Sequence, residues 1–165
     1  MNDTIRSLAS QLGRQLAEHG YMATTAESCT GGLVAAALTD IAGSSAWFER
    51  GFVTYSNHAK VEMLGVDAEL IEERGAVSEE VARAMASGAL VESWAQVAVS
   101  ITGVAGPGGG TRDKPVGTVC FAWIELEQEA QSETMHFAGD RARVREQSVV
   151  HALGGLLLRV VAAPR

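Results

Sequence analysis

Residues 97–101, with the sequence VAVSI, narrow the possible folds of this chain more than any other stretch. Four of the five residues are apolar and three of those are β-branched, which favours a strand. A strand without alternating polar positions has to be covered on both faces, as happens when helices pack on either side of a sheet. The stretch therefore predicts a central strand inside a layered α/β domain.

Helical and strand-like segments alternate along the rest of the chain. Apolar residues at 5, 8, 12 and 16 predict a first helix, with Asp3 or Thr4 as its N-cap and Gly20 at its end. Further helices are predicted at residues 32–41, 57–65, 67–73, 79–94 and 140–161, with Asn57, Ser78 and Asp140 as caps. Strands are predicted at 21–26, 52–55, 97–101, 116–126 and 133–137. Because a hairpin follows the alternating elements, we expect a three-layer α/β/α sandwich with a mixed sheet.

The composition is that of an ordinary globular protein. The 165 residues suggest one domain, residues 1–165, and the net charge of −7 argues against a nucleic-acid partner. No apolar run approaches the roughly 20 residues that span a membrane, and no signal peptide is visible. Cys29 and Cys120 are too few for a disulfide framework, so we expect reduced thiols and a cytoplasmic location.

The segment 25–32, TAESCTGG, joins a predicted strand to a predicted helix. A hydroxyl in such a turn lies beside free backbone N–H groups, where negative charge is favoured, and glycines let a ligand approach the backbone. Ser28 is therefore a candidate nucleophile, and Thr30, Gly31 and Gly32 are candidate binding residues. The simpler interpretation is an ordinary helix start capped by Ser28 or Thr30.

A second glycine-rich segment, TGVAGPGGG at residues 102–110, follows the predicted central strand. Ligands of open α/β sheets bind at the carboxyl ends of strands, so Thr102, Gly103 and Gly106 are candidate binding residues facing Ser28. The spacing fits neither a dinucleotide fingerprint nor a P-loop. A flexible surface loop is the alternative.

The segment 51–60, GFVTYSNHAK, places Tyr55 at a strand end and Lys60 in the following helical turn. A lysine acts as a general base when burial or a nearby cation lowers its pKa, and Ser-Lys pairs are known variants of the serine–base arrangement. A solvated lysine on an exposed helix is the alternative. We expect His58 to be exposed.

Neither a metal nor a cofactor is expected. The four histidines are scattered, and none pairs with a cysteine or carboxylate at ligand spacing. Cys29 is a rival nucleophile to Ser28, but no histidine is an obvious partner for it, and we interpret it as a small buried residue.

Three arginines at the start of the last helix, Arg141, Arg143 and Arg145, oppose the helix dipole. A bound anion would explain their position. A solvated helix face, with Asp140 and Glu146 as partners, is the alternative.

Six segments together resemble the CinA C-terminal domain family, whose stand-alone members are nicotinamide-nucleotide amidases. They are TAESCTGG at 25–32, GFVTYSN at 51–57 with Lys60, GAVS at 75–78, TGVAGP at 102–107 with Gly109, KPVGTV at 114–119, and GDR at 139–141. The resemblance extends from about residue 5 to the final helix. The extra N-terminal domain of full-length CinA proteins has no counterpart in this sequence.

The resemblance implies hydrolysis of nicotinamide mononucleotide to nicotinate mononucleotide and ammonia, in recycling of pyridine nucleotides. Ser28 would attack the carboxamide, Lys60 would act as the base, and Tyr55 would relay protons or orient the lysine. Backbone amides of Thr30, Gly31 and Gly32, or of the loop at Gly103, would bind the oxyanion. The glycine-rich loop and Arg141 would bind the phosphate.

The family and the apolar pair Trp47–Phe48 suggest a homodimer. The competing function is a non-catalytic module that binds pyridine nucleotides in the same pocket, for instance to regulate another protein. The presence of both Ser28 and Lys60 favours the enzyme.

Overall fold

The chain alternates helices and strands, as the sequence predicts. The structure, a computed structural model, describes all 165 residues. Its helices are α1 (Asp3–His19), α2 (Leu33–Thr39), α3 (Asn57–Leu64), α4 (Ala68–Arg74), α5 (Glu79–Val91) and α6 (Arg141–Ala162). Its strands are β1 (Ala23–Glu27), β2 (Phe48–Val53), β3 (Val97–Gly103), β4 (Thr118–Glu125) and β5 (Gln131–His136).

The five strands form one mixed sheet in the order β2-β1-β3-β4-β5. Strands β2, β1 and β3 are parallel, whereas β4 and β5 run antiparallel to their neighbours as the predicted hairpin. Helices α1, α2 and α6 cover one face of the sheet, and α3, α4 and α5 cover the other. The three-layer α/β/α sandwich is therefore confirmed.

Strand β3 lies in the middle of the sheet and is buried on both faces. Val97, Val99 and Ile101 belong to the core under α1 and α6, whereas Ala98 packs in the core under α5. Ser100 on the α5 side donates its hydroxyl to a carbonyl of that helix. The apolar run thus has the position that the sequence predicts.

Two predicted helix caps are shifted by one residue or more. Asn2, rather than Asp3 or Thr4, caps α1, and Ser56, rather than Asn57, caps α3. A cap residue has extended backbone angles, and its side chain accepts an N–H from three residues further on. Several residues in each segment carry a suitable side chain, so the sequence pattern alone did not fix the position.

The edges of two elements also differ from prediction. β2 begins at Phe48 instead of residue 52, because its first residues already pair with the first residues of β1. α5 ends at Val91, which leaves Trp94 exposed after the helix. The predicted caps at Ser78 and Asp140 are confirmed.

Trp47 belongs to the hydrophobic core. Its ring packs on Gly13 of α1, and only 5% of the residue is exposed. Phe48 packs beside the same core. The pair therefore does not form an exposed apolar surface, and it carries no support for the predicted homodimer. None of the helices is both long and apolar enough to cross a membrane.

Two adjacent glycines of α6 are predicted to respond oppositely to substitution by alanine. A Cβ at Gly155 would overlap the buried ring of Trp123, which is held by a 3.0 Å hydrogen bond from Nε1 to the Ala152 carbonyl. A Cβ at Gly154 meets no atom within 4 Å. Gly154→Ala should raise the free energy of unfolding by about 0.5–1 kcal/mol, since alanine is the better helix former. Gly155→Ala should lower it by about 1–3 kcal/mol through overpacking.

Urea unfolding of the two single variants and the wild type measures these changes. Because both substitutions are chemically identical and lie in the same helix, each serves as the control for the other. Equal changes in the two variants would contradict the packing of α6 on Trp123.

Candidate active site

The carboxyl ends of the three parallel strands meet at one edge of the sheet. Ser28 directly follows β1, and its backbone N–H donates to the Ile101 carbonyl of β3 at 2.9 Å. Thr54 follows β2, and its N–H donates to the Glu27 carbonyl at 2.8 Å. Thr102 ends β3. Ligands of such sheets gather at this edge, so the sequence prediction of a shared crevice has a structural basis.

Lys60 reaches the serine from the helix layer on one face of the sheet. It lies in the first turn of α3, and its Nζ donates to Ser28 Oγ at 3.0 Å and to the Thr54 carbonyl at 2.9 Å. Lys60 is 1% exposed and Ser28 is 8% exposed. The lysine is therefore not the solvated residue of an exposed helix, and the pair has the spacing that a nucleophile and its base require.

The amine of Lys60 has no ionic partner. None of the ion pairs of the protein includes this residue. Burial lowers the pKa of Lys60, because the charged form loses its hydration and gains no carboxylate in return. A larger fraction of the amine is therefore neutral near physiological pH, which is the form that accepts a proton.

Cys29 is a poorer nucleophile in this environment. It is 6% exposed, and burial raises the pKa of its thiol to about 12. The thiolate, which is the reactive form, is then almost absent at neutral pH. The interpretation of Cys29 as a buried residue is confirmed, and its raised pKa favours Ser28 as the candidate nucleophile.

Glu27 occupies the start of helix α2. Its buried carboxylate accepts hydrogen bonds from the Thr30 hydroxyl at 2.7 Å, the Val34 N–H at 2.9 Å and the Ala35 N–H at 3.0 Å. The donors that the sequence interpretation offered to a phosphate at this helix start are thus already satisfied from inside the protein. The Glu27 carboxylate therefore lies where an anionic ligand would otherwise bind.

The backbone between Ser28 and α2 forms a tight turn. Gly31 and Gly32 have φ angles of 58° and 99°, which side chains rarely adopt, and the Gly31 N–H donates to the Ser28 carbonyl at 3.0 Å. The N–H groups of Cys29 and Thr30 donate to no other residue of the protein. Thr30 is fully buried, which leaves the N–H of Cys29, the residue after Ser28, as the candidate donor.

A cavity of about 280 Å³ opens beside the serine and the lysine. Six of the predicted site residues line it, namely Ser28, Tyr55, Lys60, Thr102, Gly103 and Arg141. The other four, Thr30, Gly31, Gly32 and Gly106, do not. The side chain of Thr30 points to Glu27, and Gly31 and Gly32 shape the turn, so their predicted role in substrate binding is not supported by side-chain position.

Tyr55 and Arg141 contact each other at the rim of the cavity. Arg141 donates to the Tyr55 hydroxyl at 3.1 Å and to the Gly106 carbonyl at 2.8 Å. The hydroxyl of Tyr55 has no hydrogen bond to Lys60, so the structure does not bring together the tyrosine and the lysine that it was expected to orient. Thr102 uses its hydroxyl to donate to the Ala76 carbonyl at 2.8 Å.

Two residues near the site have positions that the sequence did not predict. Asn57 lines the cavity, although its position before Lys60 suggested only a helix cap. Arg145 donates to the carbonyls of Cys29 and Thr30 at 3.1 and 3.3 Å. The spacing of four between Arg141 and Arg145, which puts both on one face of α6, was the signal that was available.

The remaining candidates are placed as surface residues. Arg143 pairs with Glu146 at 2.8 Å, as the alternative of a solvated face predicted, and the exposed His58 pairs with Glu62. No three side chains among the histidines, cysteines, aspartates and glutamates are grouped so as to hold a metal ion.

Comparison with known proteins gives one consistent family. Residues 5–160 match the CinA C-terminal domain. The nicotinamide-nucleotide amidohydrolase PncC of Escherichia coli is 54% identical over 149 residues, which are 90% of each chain. A putative competence-damage inducible protein of Symbiobacterium thermophilum is 56% identical over 155 residues, and the match spans 36% of that relative.

Solved structures of similar sequence have the same fold. The crystal structure of the competence/damage inducible protein CihA from Agrobacterium tumefaciens superposes with a TM-score of 0.94 at 45% identity, and the match covers 98% of each chain. A CinA superfamily protein from Klebsiella pneumoniae gives a TM-score of 0.93 at 39% identity over 99% of this chain and all of that one.

Lys60→Met is predicted to change how stability depends on pH. Between the lowered pKa of Lys60 and the ordinary lysine value of about 10.4, the unfolded wild type binds a proton that the folded protein lacks. The stability of the wild type relative to Lys60→Met should therefore rise with pH through this window. In urea unfolding at pH 7 and pH 10, the free energy of unfolding of Lys60→Met relative to that of the wild type should be highest at pH 7.

The chain has one other lysine, Lys114, which is partly exposed and donates to the Arg74 carbonyl. Lys114→Met is thus the control for loss of a positive charge. A difference between wild type and Lys60→Met that stays constant from pH 7 to pH 10 would show that the folded lysine titrates like an exposed one.

Proposed function

The chain belongs to the CinA C-terminal domain family, and from this premise we propose that it is a nicotinamide-nucleotide amidase. In this proposal residues 1–165 form one amidase domain that converts nicotinamide mononucleotide and water to nicotinate mononucleotide and ammonia, as part of pyridine-nucleotide recycling. The observation that carries the proposal is the buried Lys60 Nζ at 3.0 Å from Ser28 Oγ, beside a cavity at the carboxyl edge of the sheet.

The reaction begins with attack of Ser28 Oγ on the carboxamide carbon. Neutral Lys60 accepts the hydroxyl proton as the carbon–oxygen bond forms, and a tetrahedral intermediate results. The protonated lysine then gives a proton to the nitrogen, the carbon–nitrogen bond breaks, and ammonia leaves a nicotinyl ester on Ser28. Water activated by the same amine hydrolyses the ester and restores the serine hydroxyl.

The N–H group of Cys29 is the proposed oxyanion donor. It is free of other partners, Cys29 lines the cavity, and the residue directly after the nucleophile is where hydrolases with a nucleophile at a strand-to-helix turn place one such donor. Each well-placed donor contributes about 3 kcal/mol to stabilisation of the transition state. The N–H groups of Val34 and Ala35 are excluded from this role by Glu27.

The substrate itself assists the base. Nicotinamide mononucleotide carries a pyridinium cation next to the carboxamide. A positive charge close to Lys60 opposes protonation of the amine, so substrate binding acts in the same direction as burial. The base is therefore kept neutral in the complex where it is needed.

The nucleotide phosphate is proposed to bind at the rim. A cavity of about 280 Å³ is near the lower limit of small-molecule sites, so the ring and its carboxamide fill the interior and the phosphate stays outside. Arg141 is the cation at that rim, and its contacts with Tyr55 and Gly106 hold it over the opening. Tyr55 is then a residue that positions the arginine.

The second candidate function is a module that binds pyridine nucleotides without turnover. A binding module has no need for an unpaired buried amine on a serine hydroxyl, and this pair favours the enzyme. Release of ammonia from nicotinamide mononucleotide by the purified protein separates the two functions. The homodimer and the cytoplasmic location stay predictions from the sequence.

Ser28→Ala is predicted to abolish ammonia release, because the nucleophile is lost. Lys60→Met should lower kcat/KM by at least about 100-fold, the lower end of general-base contributions. Cys29→Ala is the matched control, since it changes the adjacent residue and leaves the hydroxyl and the amine in place. Loss of activity in Cys29→Ala with retention in Ser28→Ala would reverse the assignment of the nucleophile.

Arg141→Ala is predicted to weaken binding of nicotinamide mononucleotide much more than binding of nicotinamide riboside, which lacks the phosphate. A charged hydrogen bond contributes about 1.5–3 kcal/mol, so kcat/KM for the mononucleotide should fall by roughly 10- to 150-fold. Arg143→Ala, on the same helix but paired with Glu146, controls for the charge. An unchanged preference for the mononucleotide in Arg141→Ala would remove the arginine from the phosphate site.

A further inference from the structure

Arg145 lies behind the turn that carries the nucleophile. Its guanidinium donates from Nε to the Cys29 carbonyl and from Nη2 to the Thr30 carbonyl. The side chain lines a separate cleft between α1, α2 and α6 and does not line the cavity that contains Ser28. It therefore contacts the backbone of the turn without reaching a ligand in the cavity.

We infer that Arg145 is a positioning residue, which fixes the turn after Ser28 so that the N–H of Cys29 serves as the oxyanion donor. The inference rests on the proposed function for the identity of the substrate. Helix α6 would then contribute in two ways: Arg145 positions the oxyanion site, and Arg141 binds the phosphate.

The geometry of the peptide bond connects the arginine to the donor. In a planar trans peptide the C=O and the N–H point in opposite directions. Arg145 holds the Thr30 carbonyl, and the N–H of the same peptide, that of Gly31, donates to the Ser28 carbonyl. The Ser28 carbonyl shares its peptide with the N–H of Cys29, which therefore points away from Gly31.

Nothing else holds the Cys29 carbonyl in this direction. The Thr30 carbonyl also accepts the Leu33 N–H at 3.1 Å, but the Cys29 carbonyl has Arg145 as its only donor. The two residues after Thr30 are Gly31 and Gly32, which have no side chains to resist rotation of the backbone. Removal of the guanidinium therefore frees the Cys29–Thr30 peptide to rotate.

Glu27 holds the other side of the same turn. Its carboxylate binds the Thr30 hydroxyl and the first amides of α2. The side chain of Thr30 is thus fixed by an anion and its carbonyl by a cation. Because Glu27 keeps its contacts when Arg145 is replaced, the turn should stay folded while the orientation of the Cys29 N–H is lost.

The test uses the rate at which a fluorophosphonate modifies Ser28, read by mass spectrometry of the intact protein. Ser28 Oγ attacks phosphorus, fluoride leaves, Lys60 takes the proton, and the developing P–O⁻ occupies the oxyanion site. The readout does not depend on the natural substrate. Arg145→Met should react at least about 10-fold more slowly than the wild type, a modest part of the effect of losing a donor outright.

Arg143→Met is the matched control, because it makes the same change two residues away on the same helix and removes only a surface pair with Glu146. It should react at the wild-type rate. Arg145→Lys, whose single ammonium does not reach both carbonyls in a fork, should also be slower than the wild type. This variant decides the question if Arg145→Met does not fold.

Steady-state kinetics with nicotinamide mononucleotide supply the second readout. A group that acts only in the transition state lowers kcat and leaves KM unchanged, so Arg145→Met should lose at least about 10-fold in kcat with KM within about twofold. A phosphate ligand would instead raise KM, and a purely structural residue would lower thermal stability at an unchanged rate of Ser28 modification.

Three results would overturn the inference: Arg145→Met or Arg145→Lys reacting as fast as the wild type, Arg143→Met slowing equally, or no modification of Ser28 in the wild type. Failure of the proposed function has a different signature. In that case the wild type releases no ammonia from nicotinamide mononucleotide, while the fluorophosphonate rates still decide the role of Arg145.

Discussion

The contact between a buried lysine amine and a serine hydroxyl is the interaction on which the rest of this site depends. Lys60 is removed from water and meets a hydroxyl and a carbonyl, but no carboxylate. Burial of an unpaired charge destabilises the folded state. The lowered pKa of Lys60 reduces this destabilisation, because the amine can lose its charge more easily. The same feature that is unfavourable for stability favours the neutral amine, which the proposed function uses as the base for Ser28. A carboxylate placed against Lys60 would stabilise the fold and keep the amine protonated.

The sheet brings this pair together by using both helix layers. Strand β1 delivers Ser28 to the carboxyl edge, α3 brings Lys60 from one face, and α6 brings Arg141 and Arg145 from the other. Glu27, the last residue of β1, satisfies the start of α2 and so prevents substrate anions from binding there. Three charged side chains therefore surround the turn. Glu27 lies inside it, Arg145 lies behind it, and Arg141 lies at the rim of the cavity. The buried amine of Lys60, whose pKa burial lowers, lies beside Ser28.

Local patterns predicted the layers and marked Ser28 and Lys60 as separate candidates, because such patterns depend on residues that are near each other in sequence. That the two residues act as a pair was implied by the family resemblance. The apolar run of β3 predicted the central strand, and the strand–turn–glycine pattern predicted the position of Ser28. Partners distant in sequence were missed, since no local pattern encodes them. Arg145 is 116 residues from the Cys29 carbonyl that it binds. The apolar pair Trp47–Phe48 suggested a dimer interface from the sequence, but the packing of Trp47 on Gly13, a residue of α1, places it in the core.

The protonation state of Lys60 in the free protein tests the central claim most directly. The chain contains two lysines, so an NMR titration of protein labelled with ¹³C at the lysine ε-carbon yields two resonances, which Lys114→Met assigns. The account predicts that the Lys60 resonance titrates clearly below the ordinary lysine pKa of about 10.4. A Lys60 resonance that titrates at or above that value would show a protonated amine at neutral pH, and would contradict its role as the base.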